Sequence, residues 1–109
     1  MVKYCGYLVS DSWLKQRALD VGHPPAKTPE DTSNMILLGS RDVMARTGVL
    51  PYTSFRRVKT PKGKYFWCIA FACNDPWEQL ATNVPPEEKY KALKEALGRE
   101  GPPRWYRAI

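Results

Sequence analysis

The chain alternates short apolar runs with punctuation by Gly and Pro. Val2 to Val9 is rich in Tyr, Val and Leu and suits a first strand. Ser10 or Asp11 then stands where a helix cap belongs, and Leu14, Ala18 and Val21 recur at helical spacing until Gly22. Residues 22–34 hold three prolines among Thr28, Asp31, Thr32, Ser33 and Asn34, which predicts a long Pro-rich loop. Such a segment has three readings: a crossover around the sheet, a lid, or a disordered stretch. Met35-Ile36-Leu37-Leu38 reads as a short buried strand. Gly39-Ser40 introduces a short helix over Arg41–Thr47, stopped by Gly48.

The plainest hairpin follows. Its arms are Tyr52–Thr60 and Lys64–Cys73, joined through Pro61-Lys62-Gly63, where Pro presets one turn dihedral and Gly accepts a positive one. The second arm is apolar on both faces, as a covered central strand must be. Asp75-Pro76-Trp77-Glu78 has the cap, proline and acidic residue of a helix start, cut short by Pro85-Pro86. Glu87 and Glu88 open a second main helix with Tyr90, Leu93 and Leu97 on its apolar stripe, ended by Gly98. After Gly101-Pro102-Pro103, the tail Arg104–Ile109 reads as a last strand at an edge. The pattern predicts one α+β domain over residues 1–109, with about five mostly antiparallel strands and two main helices packed on one face.

Alternation along Tyr65–Cys73 refines this picture. One face carries Tyr65, Trp67, Ile69, Phe71 and Cys73; the other carries Phe66, Cys68, Ala70 and Ala72. Small residues let helices approach closely, so the helices are expected over Cys68, Ala70 and Ala72. The aromatic face is then left open, and leaving large rings wet forfeits roughly 1.5–3 kcal/mol each. An open apolar face of that kind marks a binding surface.

Composition narrows the function classes. The 109 residues are 43% hydrophobic and 26% charged, which is globular. No apolar run approaches the roughly 18 residues of a membrane span. Three cysteines, an odd number, argue against a secreted disulfide framework. The N-terminal stretch reads as a strand and not as a signal peptide. The expected setting is reducing and intracellular, that is cytoplasmic.

Candidate enzymatic chemistry is sparse. His23 precedes two prolines and has no recognisable partner. Cys68 and Cys73 are five apart, so strict alternation puts their sulfurs on opposite faces and argues against metal binding. Cys5 reads as a small buried hydrophobe. Leu38-Gly39-Ser40-Arg41 lacks the glycines and lysine of a nucleotide loop, leaving a plain Ser cap. No catalytic residue, metal or cofactor is expected, and the reading leans away from an enzyme.

Charge and rings supply the remaining signal. The formal charge is +6, and Arg56 to Lys64 holds five positive residues with no negative one. Arg56, Arg57, Lys59, Lys62, Lys64, Tyr65 and Trp67 share the hairpin; Arg104, Trp105 and Arg107 share the tail. Rings stack on bases while Lys and Arg take phosphates. The leading expectation is single-stranded nucleic-acid binding by the aromatic sheet face and the basic hairpin. Two others stand beside it. One is a homodimer packing sheet on sheet around an aromatic-lined pocket for a small molecule. The other is an interaction or inhibitor module for an acidic partner.

Overall fold

In the computed structural model, which describes residues 1–109, the chain runs β1 (Lys3–Val9), α1 (Asp11–Asp20), α2 (Pro29–Arg46), β2 (Ser54–Lys59), β3 (Tyr65–Cys73), α3 (Glu87–Ala96) and β4 (Arg104–Ala108). The class is α+β, with three helices and four antiparallel strands. The strands pair in the order β1-β3-β2-β4, and β4 returns to β1, so the sheet closes into a barrel. Closure is thinnest between β2 and β4, where only Val58↔Ala108 and Lys59↔Arg107 pair.

Most predicted elements lie where the sequence places them, but residues 29–46 do not. Coil persists only to Thr28, whose hydroxyl accepts the Asp31 amide at 3.1 Å and caps α2. Pro29 occupies the first turn, with Glu30 and Asp31 beside the positive end of the helix dipole. The expected strand Met35–Leu38 and the expected short helix after it are both parts of this one helix. The count is therefore four strands rather than five, and the supposed loop 22–34 is helical from Pro29 onward. Ile36, Gly39, Ser40 and Val43 form the buried stripe that binds the segment as a helix.

Ser40 lies inside α2 and is not the expected cap, and Gly39 is a contact point. A Cβ there would sit 2.2 Å from the Leu14 carbonyl oxygen, so α1 and α2 touch backbone to backbone at this residue. The Ser40 hydroxyl, buried beside it, donates to the Leu37 carbonyl at 2.7 Å. Arg17 on α1 and Arg46 on α2 both bond Asp42, at 2.7 and 2.8 Å, which ties the pair on its outer side. The other expected helix start, at Asp75, yields a single 3-10 turn, Pro76–Glu78, with Asp75 accepting the Trp77 amide at 3.0 Å.

The larger correction concerns which face of β3 the helices cover. They lie over the large residues. Ile69 and Phe71 pack with Tyr7 and Val9 of β1, Leu14 of α1, Ile36, Val43 and Met44 of α2, and Tyr90 and Leu93 of α3. The small side, Cys68 and Ala70, turns inward and meets Tyr4 and Val58, with Leu8, Tyr106 and Ala108 around them. The reason is geometric. A barrel of only four strands has a narrow interior, and small side chains are what it can hold. The outer face is wide enough for rings.

A bulge alters the alternation at the end of β3. Cys5 pairs with Ala72 and Gly6 with Ala70, so Phe71 is an extra residue on β3. The strands press together here: a Cβ on Gly6 would lie 1.9 Å from the Ile69 carbonyl oxygen. Past the bulge the phase shifts, and Cys73 joins Cys68 in the inner cluster instead of facing away from it. Even so, no group of three His, Cys, Asp or Glu side chains is arranged to hold a metal ion. No helix is long and apolar enough to cross a membrane.

Candidate functional site

The helices roof only part of the outer sheet face. Phe71 is 1% exposed, with the Tyr7 ring edge-on at 6.1 Å and Tyr90 at 5.1 Å. Trp67 is half-buried, stacked on Phe55 at 4.3 Å and covered by the Arg57 guanidinium at 4.9 Å. Tyr65, at the start of the same strand, is 54% exposed. The open aromatic platform expected on β3 thus shrinks to Tyr65; Phe71 is core, and Trp67 is taken up by its neighbours.

What lies bare is the part of the barrel built by the ends of β1, β2 and β4. Lys3 pairs with Arg107, and Arg107 pairs with Lys59. Lys59 pairs in turn with Tyr65 and holds its ammonium 5.6 Å from that ring. Three cations therefore stand side by side in one row across three strands. Like charges directly opposite one another destabilise a sheet. No carboxylate forms a salt bridge with any of the three.

A groove of about 510 Å³ opens over this row, between the hairpin turn and β4. Its lining includes Lys3, Lys59, Lys62, Trp105, Tyr106 and Arg107. Neither acid nor histidine nor cysteine lines it. Trp105 is 42% exposed and provides an aromatic surface. The walls are fixed by hydrogen bonds. The Thr60 amide donates to the Lys64 carbonyl at 2.8 Å, the Gly63 amide to the Thr60 carbonyl at 2.9 Å, and Gly63 takes a positive φ of 83°. On the other side the Ala108 amide donates to the Val2 carbonyl at 3.0 Å, and the Lys3 amide to Asn74 Oδ1 at 2.8 Å.

The sequence-predicted residues divide accordingly. Lys59, Lys62, Trp105 and Arg107 line the groove, and Tyr65 adjoins it through Lys59. Lys64 is exposed on the same turn. Arg56 and Arg57 are drawn away: Arg56 meets Glu78 at 3.3 Å and Arg57 meets Asp11 at 3.5 Å. Arg104 lines a neighbouring groove, on the other side of Tyr106. Lys3 is the residue that sequence reasoning missed. Its charge was visible in the chain, but only the pairing of β1 with β4 places it beside Arg107.

Reactive groups elsewhere have no such setting. Cys5, Cys68 and Cys73 are free and buried; burial pushes the Cys5 thiol up to about 11 and raises Cys68 as well. The His23 ring nitrogen Nδ1 lies 2.6 Å from the Pro24 carbonyl, with no carboxylate bonded to the ring. The chemistry that the groove itself offers is anion binding and ring stacking.

Compared with protein-family models, with curated proteins and with solved structures, the chain finds no match in any of the three.

Proposed function

We propose that the protein binds single-stranded nucleic acid in the groove between the hairpin turn and β4. The observation that carries this reading is the cross-strand row Lys3–Arg107–Lys59, unneutralised and opening onto Trp105. A row of cations repelling one another is relieved by a chain of phosphates, and the exposed ring gives a base a surface on which to stack. A single strand suits the site better than a duplex, because a base must leave its helix to reach Trp105.

Fluorescence anisotropy with a labelled oligothymidylate tests the reading. Binding is expected at low salt, with affinity falling steeply as salt rises. Replacing Lys3, Lys59 and Arg107 by Gln is expected to flatten the logarithmic salt slope by about two, roughly 0.7 per phosphate contact on a single strand. An unaltered slope would remove the row from the site.

A second reading has one observation of its own. Trp77 is 90% exposed at the tip of the Pro76–Glu78 turn, a position that suits an anchor for a protein partner. A partner retained on immobilised protein after nuclease treatment, and lost with Trp77→Ala, favours it. The homodimeric small-molecule binder depended on an open aromatic face, and α1, α2 and α3 of the same chain now occupy most of that face.

A further inference from the structure

Beside the first groove, across Tyr106, lies a second of about 440 Å³. Tyr106 lines both. The second is bounded by Gly6 and Leu8 of β1, by Arg104 of β4, and by the loop Gly98–Pro102 that follows α3. Two arginines, Arg99 and Arg104, line it together with one acid, Glu100. Neither arginine is held by a salt bridge.

The loop is tied to the barrel at two points. The Tyr7 hydroxyl donates to the Gly101 carbonyl at 2.9 Å, and Arg99 Nη2 donates to the Leu8 carbonyl at 2.9 Å. A guanidinium has five N–H donors, so this single bond orients Arg99 without exhausting it. Burial raises the Tyr106 hydroxyl above its ordinary range, with Cys68 adding to the rise, while Arg104 and Arg99 pull it down.

We infer that the two grooves form one track, and that Arg99 and Arg104 take the phosphates of the same single strand beyond the segment seated on Lys3, Lys59, Arg107 and Trp105. This rests on the reading of the first groove as a nucleic-acid site, and it adds the length and course of the ligand. Tyr106 packs toward the barrel interior and alternates with Trp105 and Arg107, so the strand passes around the β4 edge that β2 leaves unpaired at 104–106, from the outer face to the side of Arg104. The protein thereby recognises a run of several nucleotides rather than one isolated phosphate.

Probe length separates this inference from the reading beneath it. Labelled oligothymidylates of about four and about twelve nucleotides are compared, lengths within the usual span of single-strand sites. The wild-type chain is expected to hold the longer probe more tightly. The double variant Arg99→Gln, Arg104→Gln is expected to weaken the longer probe about tenfold, to flatten its salt slope by about 1.4, and to leave the shorter probe within about twofold. Arg104→Gln alone keeps the Arg99 bond to Leu8, so it serves as a fold-preserving second variant, with a loss of about threefold on the longer probe only. Equal losses on both lengths overturn the track, as does no loss on the longer one. Failure of the wild-type chain to bind either probe removes the nucleic-acid reading itself, and the track with it.

Discussion

Two ends of one outer sheet face behave oppositely. At one end Tyr7, Ile69 and Phe71 lie beneath α1, α2 and α3 and form the core. At the other end Lys3, Arg107, Lys59 and Tyr65 stand in a row with no helix over them. Both ends obey the same alternation along the strands. The difference is that three helices suffice for one end only: the dry end is wholly apolar or aromatic, while the wet end sets Lys3, Lys59 and Arg107 beside the exposed rings of Tyr65 and Trp105. A surface position that carries three adjacent like charges is poor for stability, and this is why the bare end, and not the roofed end, is the candidate site.

The comparison breaks most sharply in the core. Phe71→Ala is expected to cost about 3–5 kcal/mol, because the cavity lies among packed rings. Tyr65→Ala, on the same strand, should change stability by no more than about 1 kcal/mol. Urea denaturation of both variants measures the contrast, and similar losses would erase the distinction between the ends. A loss of comparable size, about 3 kcal/mol or more, is expected for Gly39→Val, since its Cβ meets Leu14 backbone that cannot rotate aside.

Trp105→Ala tests the wet end by binding. Loss of one stacking ring should weaken an oligothymidylate by about 1–3 kcal/mol while thermal unfolding changes little. The triple replacement of Lys3, Lys59 and Arg107 by Gln gives a smaller and opposite effect on the fold. Removing two adjacent like-charge pairs should leave stability unchanged or raise it by about 1 kcal/mol at low salt. A marked loss of stability would mean that the row is structural.

The smallest expected effect is a pH dependence at the α1–α2 contact. The hydrogen bond from Arg17, aided by Arg46, holds the Asp42 carboxyl below the usual carboxylate range. A carboxyl whose folded value is depressed adds stability at pH above its unfolded value. That contribution falls away as pH drops through the folded value. Unfolding free energies from urea titrations taken from pH 6 downward should therefore decline more in the native chain than in Asp42→Asn, by less than about 1 kcal/mol given how exposed Arg46 is. Parallel curves would show that the pair contributes nothing measurable.

Local chemistry in the chain was enough to place β1, α1, the β2–β3 hairpin, α3 and β4. Ser10 caps α1, Gly63 permits the hairpin turn, and Glu87 and Glu88 favour the start of α3; each acts within a few residues of itself. The start of α2 carried a local signal as well, Thr28-Pro29-Glu30-Asp31, but the surrounding prolines and small polar residues resemble a loop. Its middle, Met35–Leu38, is equally compatible with a strand, and burial of the stripe Ile36, Gly39, Ser40 and Val43, with Gly39 against Leu14, selects the helix.

Which face of β3 goes inward is not a local property. Cys68 and Ala70 suit a close-packed helix or a narrow barrel equally well, and the choice depends on β4 returning to pair with both β1 and β2. The same closure brings Lys3 beside Arg107, although the two lie at opposite ends of the chain. Charge, the hairpin turn and the ends of α1 and α3 were therefore settled by the amino-acid sequence, because they act over a few bonds. The site was decided by tertiary structure, because strand pairing sets which cations become neighbours.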